Sequence, residues 1–481
     1  MQYHSTRGNS PIVDSARAVL LGLAEDGGLF LPESIPEFDW QACVASDTLT
    51  MATKILTAFL PDIPEMEGLV RKAYVGKFET DELTPTVSVG DITILELFRG
   101  PTSAFKDVAL SMLPQLMTAA KTAAGMEEDI LILTATSGDT GKAALEGFHD
   151  VPGIRICVFY PDGGVSQVQR RQMVSQEGDN VTVCAVRGNF DDCQTGVKNV
   201  FAACQGKELP FKLSSANSIN IGRLAPQITY YFKAYRDLLD AGKIQLGDEV
   251  NFCVPTGNFG DILAGYLAKL LGLPVGMLIC ASNANKVLDD FIKTGTYDRR
   301  RPLHKTQSPS MDILVSSNLE RLLYLLSGDT ELVAGLMKEL NTNGVYTVPE
   351  DLLAKIQSQF WGFHCGDVRT HANIRQCWKD HHYLLDTHTA TAWTAAQSYA
   401  RRTGDKRPMV VLSTASPYKF PEAVLSAVGG DIEGDEFTLM ERLQELTGVP
   451  IPKNLAGLRD KQERHLGVID KEEMLDFVLG L

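Results

Sequence analysis

From about residue 86 onward, short apolar runs alternate with segments of helical pattern, and this alternation limits the fold more than any other feature. The apolar runs cover residues 92–98, 130–133, 154–160, 181–186, 250–254 and 275–281. Runs of this length and composition are typical of strands that are buried on both faces. The alternation therefore predicts an α/β fold in which parallel strands carry helices on both faces.

The 481 residues exceed what one hydrophobic core normally supports, so several domains are expected. Residues 1–85 are helix-rich in pattern and predict an N-terminal domain. Residues 86–114 and 214–430 predict a large α/β lobe, and residues 115–213 predict a smaller inserted one, both doubly wound. Residues 431–481 predict a helical C-terminal extension without a chemical role. A ligand is expected in the cleft between the lobes.

The composition excludes several classes of function. A net charge of −15 argues against nucleic acid as a partner, because phosphates require a positive surface. No stretch approaches the roughly 20 apolar residues of a membrane span, and no signal segment opens the chain, so a cytoplasmic protein that contacts no membrane is expected. The nine cysteines contain no C-x-x-C pair and predict reduced packing residues. The histidines form no H-E-x-x-H motif, so no metal site is predicted.

Lys106 is the first candidate for chemistry. It follows the apolar run that ends at Phe98 and precedes a helical pattern, so it is expected at a strand-to-helix junction. Such junctions carry the chemistry of open α/β sheets. A lysine in a partly apolar slot has a lowered pKa, and its free amine can form a Schiff base. The alternative is an ordinary surface lysine near a helix start.

Two glycine-rich loops each follow an apolar run and precede a helical pattern. The first is Thr-Ala-Thr-Ser-Gly-Asp-Thr-Gly at 134–141, and the second is Val-Pro-Thr-Gly-Asn-Phe-Gly-Asp at 254–261. Unpaired N–H groups at a helix start, approached closely across glycine, suit a phosphate or a carboxylate. Neither loop is a Walker motif or a dinucleotide fingerprint, which argues against a nucleotide. Each loop alone could be an ordinary connector, but with Lys106 they indicate pyridoxal 5'-phosphate (PLP).

Ordered motifs along nearly the whole chain point to one known family. They lie at residues 3–8, 26–33, 96–107, 135–141, 188–194, 215–220, 255–261, 310–313 and 316–321. With these motifs the chain closely resembles the threonine synthases, which are fold type II PLP enzymes. The resemblance implies conversion of O-phospho-L-homoserine and water to L-threonine and phosphate, the last step of threonine biosynthesis. Because water must enter that reaction only late, the two predicted lobes are expected to close over the substrate.

The resemblance implies roles for the cofactor side of the site. Lys106 would form the Schiff base and would later shuttle protons at Cα and Cβ of the substrate. Thr414 would face the pyridine nitrogen, although a strand-end cap is its alternative. Main-chain N–H groups would hold the cofactor phosphate, and they belong to Gly257, Asn258, Phe259 and Gly260.

The resemblance also implies a set of substrate-binding residues, which are Ser137, Asp139, Thr140, Asn217, Asn220, Arg223 and Lys419. The hydroxyls of the first loop would receive the substrate carboxylate. Arg223 offers a fork for the substrate phosphate, with Lys419 as a second candidate, and either could instead be a solvated surface base. Asp139 would repel an anion, so it is expected to point away or to take a proton, or else to act as a helix N-terminal acid.

Five positions depart from the commonest family pattern: Arg99, Ser103, Thr387, Ser416 and Tyr418. They leave Lys106 and the phosphate loop intact, so they bear on substrate handling, and the bulk of Tyr418 could reshape the end of the pocket. The alternative function is a PLP-dependent phospholyase that releases 2-oxobutyrate and phosphate from the same substrate. A cofactor-binding protein without catalysis is disfavoured by the presence of Lys106. The sequence leaves the oligomeric state, allosteric control and side activities open.

Overall fold

The computed structural model describes residues 1–204 and 206–481. Its strands are β1 Gln2–Ser5, β2 Val13–Asp14, β3 Phe30–Pro32, β4 Thr86–Val89, β5 Ile92–Glu96, β6 Asp129–Ala135, β7 Ile154–Pro161, β8 Val181–Arg187, β9 Phe211–Ser214, β10 Val250–Pro255, β11 Val275–Ser282, β12 Thr296–Asp298, β13 Val345–Thr347, β14 Phe360–His364, β15 Met409–Ser413 and β16 Gly467–Asp470.

The helices account for most of the remaining structure. They are α1 Ser15–Leu21, α2 Trp40–Val44, α3 Thr48–Phe59, α4 Met66–Tyr74, α5 Lys106–Ala123, α6 Asp139–Phe148, α7 Gln167–Val174, α8 Phe190–Cys204, α9 Ile221–Leu224, α10 Ile228–Asp240, α11 Gly260–Leu270, α12 Val287–Thr294, α13 Leu319–Ser327, α14 Thr330–Asn343, α15 Glu350–Gln359, α16 Asp367–His381, α17 Thr387–Thr403, α18 Pro421–Val428, α19 Glu436–Thr447 and α20 Met474–Leu479.

The larger sheet has six strands in the order β14-β11-β10-β15-β5-β4. All neighbouring pairs are parallel except β4 with β5, which is antiparallel. Every residue of β5, β10 and β15 is buried, because helices cover both faces of the sheet. Each fully buried apolar side chain in such a strand contributes about 1.5–3 kcal/mol.

The smaller sheet has five parallel strands in the order β16-β8-β7-β6-β9. Four of them come from residues within the expected smaller lobe or at its end. The prediction of an α/β fold with two parallel sheets is confirmed, and so are the strands expected from the apolar runs. The lobe boundaries themselves stay a prediction.

The C-terminal extension is not purely helical, which corrects the expectation for residues 431–481. β16 lies in this extension and completes the smaller sheet by pairing with β8, while α20 packs on α8. Arg187 and Asp470 form an ion pair of 3.1 Å across that new edge. A strand of four residues with mixed polarity gives too weak a periodic signal to be recognised from sequence.

The N-terminal region also contains a strand element that the sequence pattern did not indicate. β1 pairs antiparallel with both β2 and β3, and the helices α1 to α4 complete the region. Tyr3 is fully buried there, and its hydroxyl donates to the Phe59 carbonyl at 2.6 Å. No helix among the described residues is long and apolar enough to cross a membrane.

Candidate active site

The strand order of the larger sheet brings three predicted site segments together. β5, β15 and β10 are neighbours and run parallel, so their carboxyl ends lie side by side. Lys106 follows β5, Thr414 follows β15 and the loop 256–259 follows β10. Ligands bind at this edge in open α/β sheets. The smaller sheet also brings two predicted site segments together, because loop 136–138 follows β6 and the segment 215–220 follows its parallel neighbour β9.

Lys106 is the first residue of α5, as its position in the sequence predicted. Its side chain is buried, with Nζ 5.0 Å from the centroid of the Phe105 ring and 3.9 Å from Asp139 Oδ2. Burial lowers the pKa of Lys106 to about 8; Asp139 opposes this shift, while Lys419 and Arg223 add to it. The amine is therefore neutral in a substantial fraction of molecules near pH 8, as a nucleophile requires.

Asp139 is the ionic centre of the site. Its carboxylate lies 2.6 Å from Lys419 Nζ and accepts a hydrogen bond from Gln169 Nε2 at 2.9 Å. Burial alone would raise the pKa of Asp139, but Lys419 and Lys106 hold it well below its ordinary value. Asp139 is the first residue of α6, which agrees with the alternative of a helix N-terminal acid, whereas the expectation that it would point away or take a proton is not met, because two ammonium groups compensate its charge.

Lys419 is fully buried, which excludes a solvated surface role. Besides its ion pair with Asp139, its ammonium donates to the Thr102 carbonyl at 3.2 Å. The charge is therefore already paired in this arrangement, and a substrate phosphate would have to compete with Asp139 for it.

Arg223 is also buried, but it has no such partner. Its Nη1 donates to the Ala216 carbonyl at 2.8 Å, whereas Nε is buried without a hydrogen-bond acceptor. No carboxylate among the described residues pairs with it, and burial lowers its pKa to about 10. A buried guanidinium without a counter-charge is costly, so its position indicates a site that an anion completes.

The loop 257–260 leads into α11 and leaves its amide groups open. In the described parts of the chain, the N–H groups of Gly257, Asn258, Phe259 and Gly260 donate to no protein acceptor. Phe259 adopts the left-handed backbone conformation, with φ at 64°. A β-carbon at Gly257 would lie 2.7 Å from the Ser310 carbonyl oxygen, so only glycine fits without movement. The geometry is that of a neutral phosphate cradle.

Thr414 lies at the end of β15 and is buried. Its carbonyl accepts a hydrogen bond from the Phe105 N–H at 2.8 Å, which ties it to the residue before Lys106. In the described residues its hydroxyl has no protein partner, so the side chain is available to a ligand.

The first loop presents hydroxyls at the start of α6. Ser137 is exposed and Thr140 half-buried, whereas Thr136 is buried and accepts hydrogen bonds from the Gly138 and Gly141 N–H groups at 3.0 and 2.8 Å. Thr136 thus fixes the turn that aims Ser137 and Thr140 outward. Gly138 has φ at 136°, a conformation that favours glycine.

Asn217 and Asn220 differ in whether their side-chain amides are free to bind a ligand. Asn220 engages both polar atoms of its amide within the protein: Nδ2 donates to the Val19 carbonyl at 2.9 Å, and Oδ1 accepts from the Gly222 N–H at 2.8 Å. This geometry favours helix capping over the predicted substrate contact. Asn217 is half-buried, and its side chain makes no hydrogen bond to the described residues.

Sequence reasoning gave no role to two groups that support the site. Asn318 is fully buried; its N–H donates to the Asn258 carbonyl at 3.0 Å and its Nδ2 to the Ser218 carbonyl at 3.1 Å, so it links the phosphate loop to the Asn217 segment. His388 accepts from the Ser310 N–H at 3.1 Å and contacts Asp386 at 3.0 Å. Asn318 lies in the motif at residues 316–321, and His388 follows Thr387, one of the departures from the family pattern. The family resemblance was therefore the signal that could have identified both residues.

Two of the departures from the family pattern contact the C-terminal extension. The Ser103 hydroxyl donates to Asn454 Oδ1 at 2.9 Å, and Asn454 Nδ2 donates to the Pro101 carbonyl at 2.7 Å. The Tyr418 hydroxyl donates to the Val449 carbonyl. The extension therefore holds the loop that precedes Lys106, which is a structural role that the sequence did not suggest.

Comparisons with known proteins agree with this geometry. Two family models match, "Threonine synthase N terminus" at residues 2–74 and "Threonine synthase, C-terminal" at residues 389–478. The threonine synthase of Pseudomonas aeruginosa is 39% identical over 96% of this chain and 95% of its own, and that of Saccharomyces cerevisiae is 38% identical over 92% and 93%.

A solved structure extends the likeness to the fold. The crystal structure of PLP-bound threonine synthase from Brucella melitensis is 40% identical, covers 100% of this chain and 98% of its own, and superposes with a TM-score of 0.88. The fold class inferred from the alternating strands and helices is confirmed by this match. With relatives this similar over almost its full length, the chain belongs to the threonine synthase family.

Proposed function

We propose that this protein is a threonine synthase, a PLP-dependent lyase that converts O-phospho-L-homoserine and water to L-threonine and phosphate. The observation that carries the proposal is the shared electrostatic site of Lys106 and Arg223. One is a buried amine whose pKa is lowered to about 8, and the other is a buried guanidinium without a carboxylate partner. A phosphorylated amino acid supplies the anion that completes this pair.

The residues present fit PLP. The four open N–H groups of residues 257–260 at the start of α11 suit its phosphate, and glycine at position 257 lets this loop pack closely against the Ser310 carbonyl. Lys106 would hold the cofactor through Nζ, and the unpartnered hydroxyl of Thr414 would face its ring nitrogen. When bound, PLP supplies the electron sink that makes protons next to the amino-bearing carbon removable.

Each side chain of the site then has a proposed task. Lys106 moves protons at Cα and Cβ of the substrate, since its buried amine has a pKa lowered to about 8. Arg223 binds the substrate phosphate with its open Nε. Ser137 and Thr140 receive the substrate carboxylate, together with the amides at the start of α6. Asn217 adds a polar contact beside them.

Asp139 couples the two sheets. It follows β6 of the smaller sheet, yet it pairs with Lys106 and Lys419, which follow β5 and β15 of the larger sheet. The Ser310 hydroxyl also donates to it at 3.4 Å. These contacts link the two sheets across the cleft, and closure of the two lobes over the substrate would exclude water until the addition step. Lys419 can bind the substrate phosphate only when its ion pair with Asp139 breaks.

The experiment that tests the function is product analysis by NMR. Purified protein loaded with PLP is incubated with O-phospho-L-homoserine, beside a Lys106→Ala control. L-Threonine and phosphate from the wild-type protein alone establish the synthase activity. Release of 2-oxobutyrate with phosphate would instead make the protein a phospholyase, and Ser416 and Tyr418 would be the first positions to exchange.

We also propose a cytoplasmic location and the lobe boundaries given above. All nine cysteines are free and buried, as expected in a reducing compartment. Residues 129–214 supply β6 to β9 of the smaller sheet, which supports a smaller lobe near residues 115–213 with β16 added to its edge.

A further inference from the structure

A second pocket, of about 490 Å³, lies outside the active site. It is lined by four parts of the chain: Lys77 of the N-terminal region, Pro101 of the loop before α5, Lys142 of the smaller lobe, and Lys453 and Lys461 of the C-terminal extension. Neither Lys106 nor any of the proposed substrate-binding residues lines it. We call this the basic pocket.

Four lysines and three glutamates line the basic pocket, so its lining has a small excess of positive charge. Its three glutamates are each already in an ion pair, namely Glu79 with Arg99 at 3.1 Å, Glu146 with Lys142 at 2.9 Å and Glu177 with Arg464 at 2.9 Å. Lys77, Lys453 and Lys461 pair with no carboxylate among the described residues. Burial lowers the pKa of Lys142, and the nearby charge of Lys461 lowers it further despite Glu146. Like charges gathered around one cavity favour an anion within it.

Gln172 points to the same conclusion independently. Its side chain lines the pocket and is only 2% exposed, yet both Nε2 and Oε1 are buried without a hydrogen-bond partner. A buried amide with neither group satisfied costs free energy that a partner restores. The missing partner must offer both a donor and an acceptor, so a hydroxyl or an amide beside the anionic groups is indicated.

We propose that the basic pocket binds a small polyanion, either a di- or tricarboxylate or a phosphate ester. Its charged groups lie among Lys77, Lys453 and Lys461, and its hydroxyl or amide meets Gln172. Because the lysines come from the N-terminal region and the C-terminal extension while Gln172 belongs to α7, the ligand bridges segments far apart in the chain. The basic pocket shares no residue with the proposed catalytic site, so the binding proposal does not depend on the proposed function.

The test is calorimetric titration of the PLP-loaded protein with citrate and, separately, with inorganic phosphate. Three proteins are compared: wild type, a pocket variant K77Q/K453Q/K461Q, and a control variant K72Q/K338Q/K379Q that removes three exposed lysines elsewhere. We expect the dissociation constant of at least one probe to rise about tenfold or more in the pocket variant alone. Citrate binding indicates the carboxylate class, and phosphate binding the ester class.

The variant Gln172→Leu distinguishes a loss of ligand binding from a loss of folding stability. Without a probe this variant should keep or raise the melting temperature, because it removes two unsatisfied polar atoms, while its affinity for the probe falls. Three results would overturn the proposal: no binding to wild type at millimolar concentration, equal binding to the pocket and control variants, or binding that Arg223→Gln removes, since that would place the probe in the active site.

Discussion

The two anion sites of the catalytic cleft are built on opposite principles. The loop 257–260 offers four open N–H groups and no cation, and it is held from behind by Ser316, whose hydroxyl donates to the Gly257 carbonyl at 2.7 Å, and by Asn318. The other site gathers the buried charges of Arg223 and Lys419, one unpaired and one paired with Asp139.

The difference matches what each site has to do. A neutral, braced cradle costs little to keep empty and changes little on binding, which suits a phosphate that stays through many turnovers. Buried cations are costly to leave uncompensated, which suits a phosphate that must arrive, react and leave. Asp139 then serves as the counter-charge between turnovers.

Among the substitutions that test this difference, Arg223→Gln should have the largest effect on activity. Losing the charge-assisted contacts to the substrate phosphate is expected to lower kcat/KM by about 10²–10³-fold. The melting temperature should stay equal or rise, because a buried unpaired charge disappears. Steady-state kinetics and thermal unfolding measure both, with exposed Arg402→Gln as the control. Normal kcat/KM in Arg223→Gln would place the substrate phosphate elsewhere.

Gly257→Ala probes the neutral cradle by shape alone. The new β-carbon would lie 2.7 Å from the Ser310 carbonyl oxygen, so the loop must shift and PLP affinity should fall about tenfold or more. Gly335→Ala in α14 is the control, because a β-carbon there would meet nothing within 4 Å and PLP affinity should not change. Fluorescence titration of the apo protein with PLP gives both affinities. Equal losses would mean that the cradle is not shaped around Gly257.

Asp139→Asn tests whether the Asp139 carboxylate favours the ammonium form of Lys106, through the pH dependence of PLP capture. The rate of PLP capture by the apo protein should rise with pH around 8, because only the neutral amine of Lys106 reacts. The Asp139 carboxylate favours the ammonium form, so its removal should move this midpoint below pH 8. Stopped-flow absorbance across pH 6–10 follows the reaction. An unmoved midpoint would show that Asp139 does not set the charge of Lys106.

Ser316→Ala should give the smallest change. It removes one hydrogen bond to the Gly257 carbonyl, which is worth about 1 kcal/mol and corresponds to roughly fivefold in PLP affinity. The effect on the substrate KM should be negligible, since Arg223 is untouched. Ser317→Ala, which alters a hydroxyl without a hydrogen bond in the described structure, is the control for the same titration.

The sequence predicted the positions at strand ends well and the side-chain partners less well. Lys106 and the loop 257–260 lie after the strands that the apolar runs predicted, and parallel strands align their carboxyl ends; Thr414 was suggested by the family resemblance alone. The pairing of Asp139 with Lys419 could not be predicted, because 280 residues separate groups that meet only through the packing of two sheets. The bond from Asn220 Nδ2 to the Val19 carbonyl of α1 could not be predicted either, because 201 residues separate the two groups.

The C-terminal strand β16 has a consequence for how the chain is made. The smaller sheet keeps one edge of β8 unpaired until residues 467–470 have left the ribosome, although β6 to β9 are complete some 250 residues earlier. The nascent protein therefore carries an open sheet edge while some 250 further residues are synthesised, and its exposure to mispairing ends only when β16 pairs with β8.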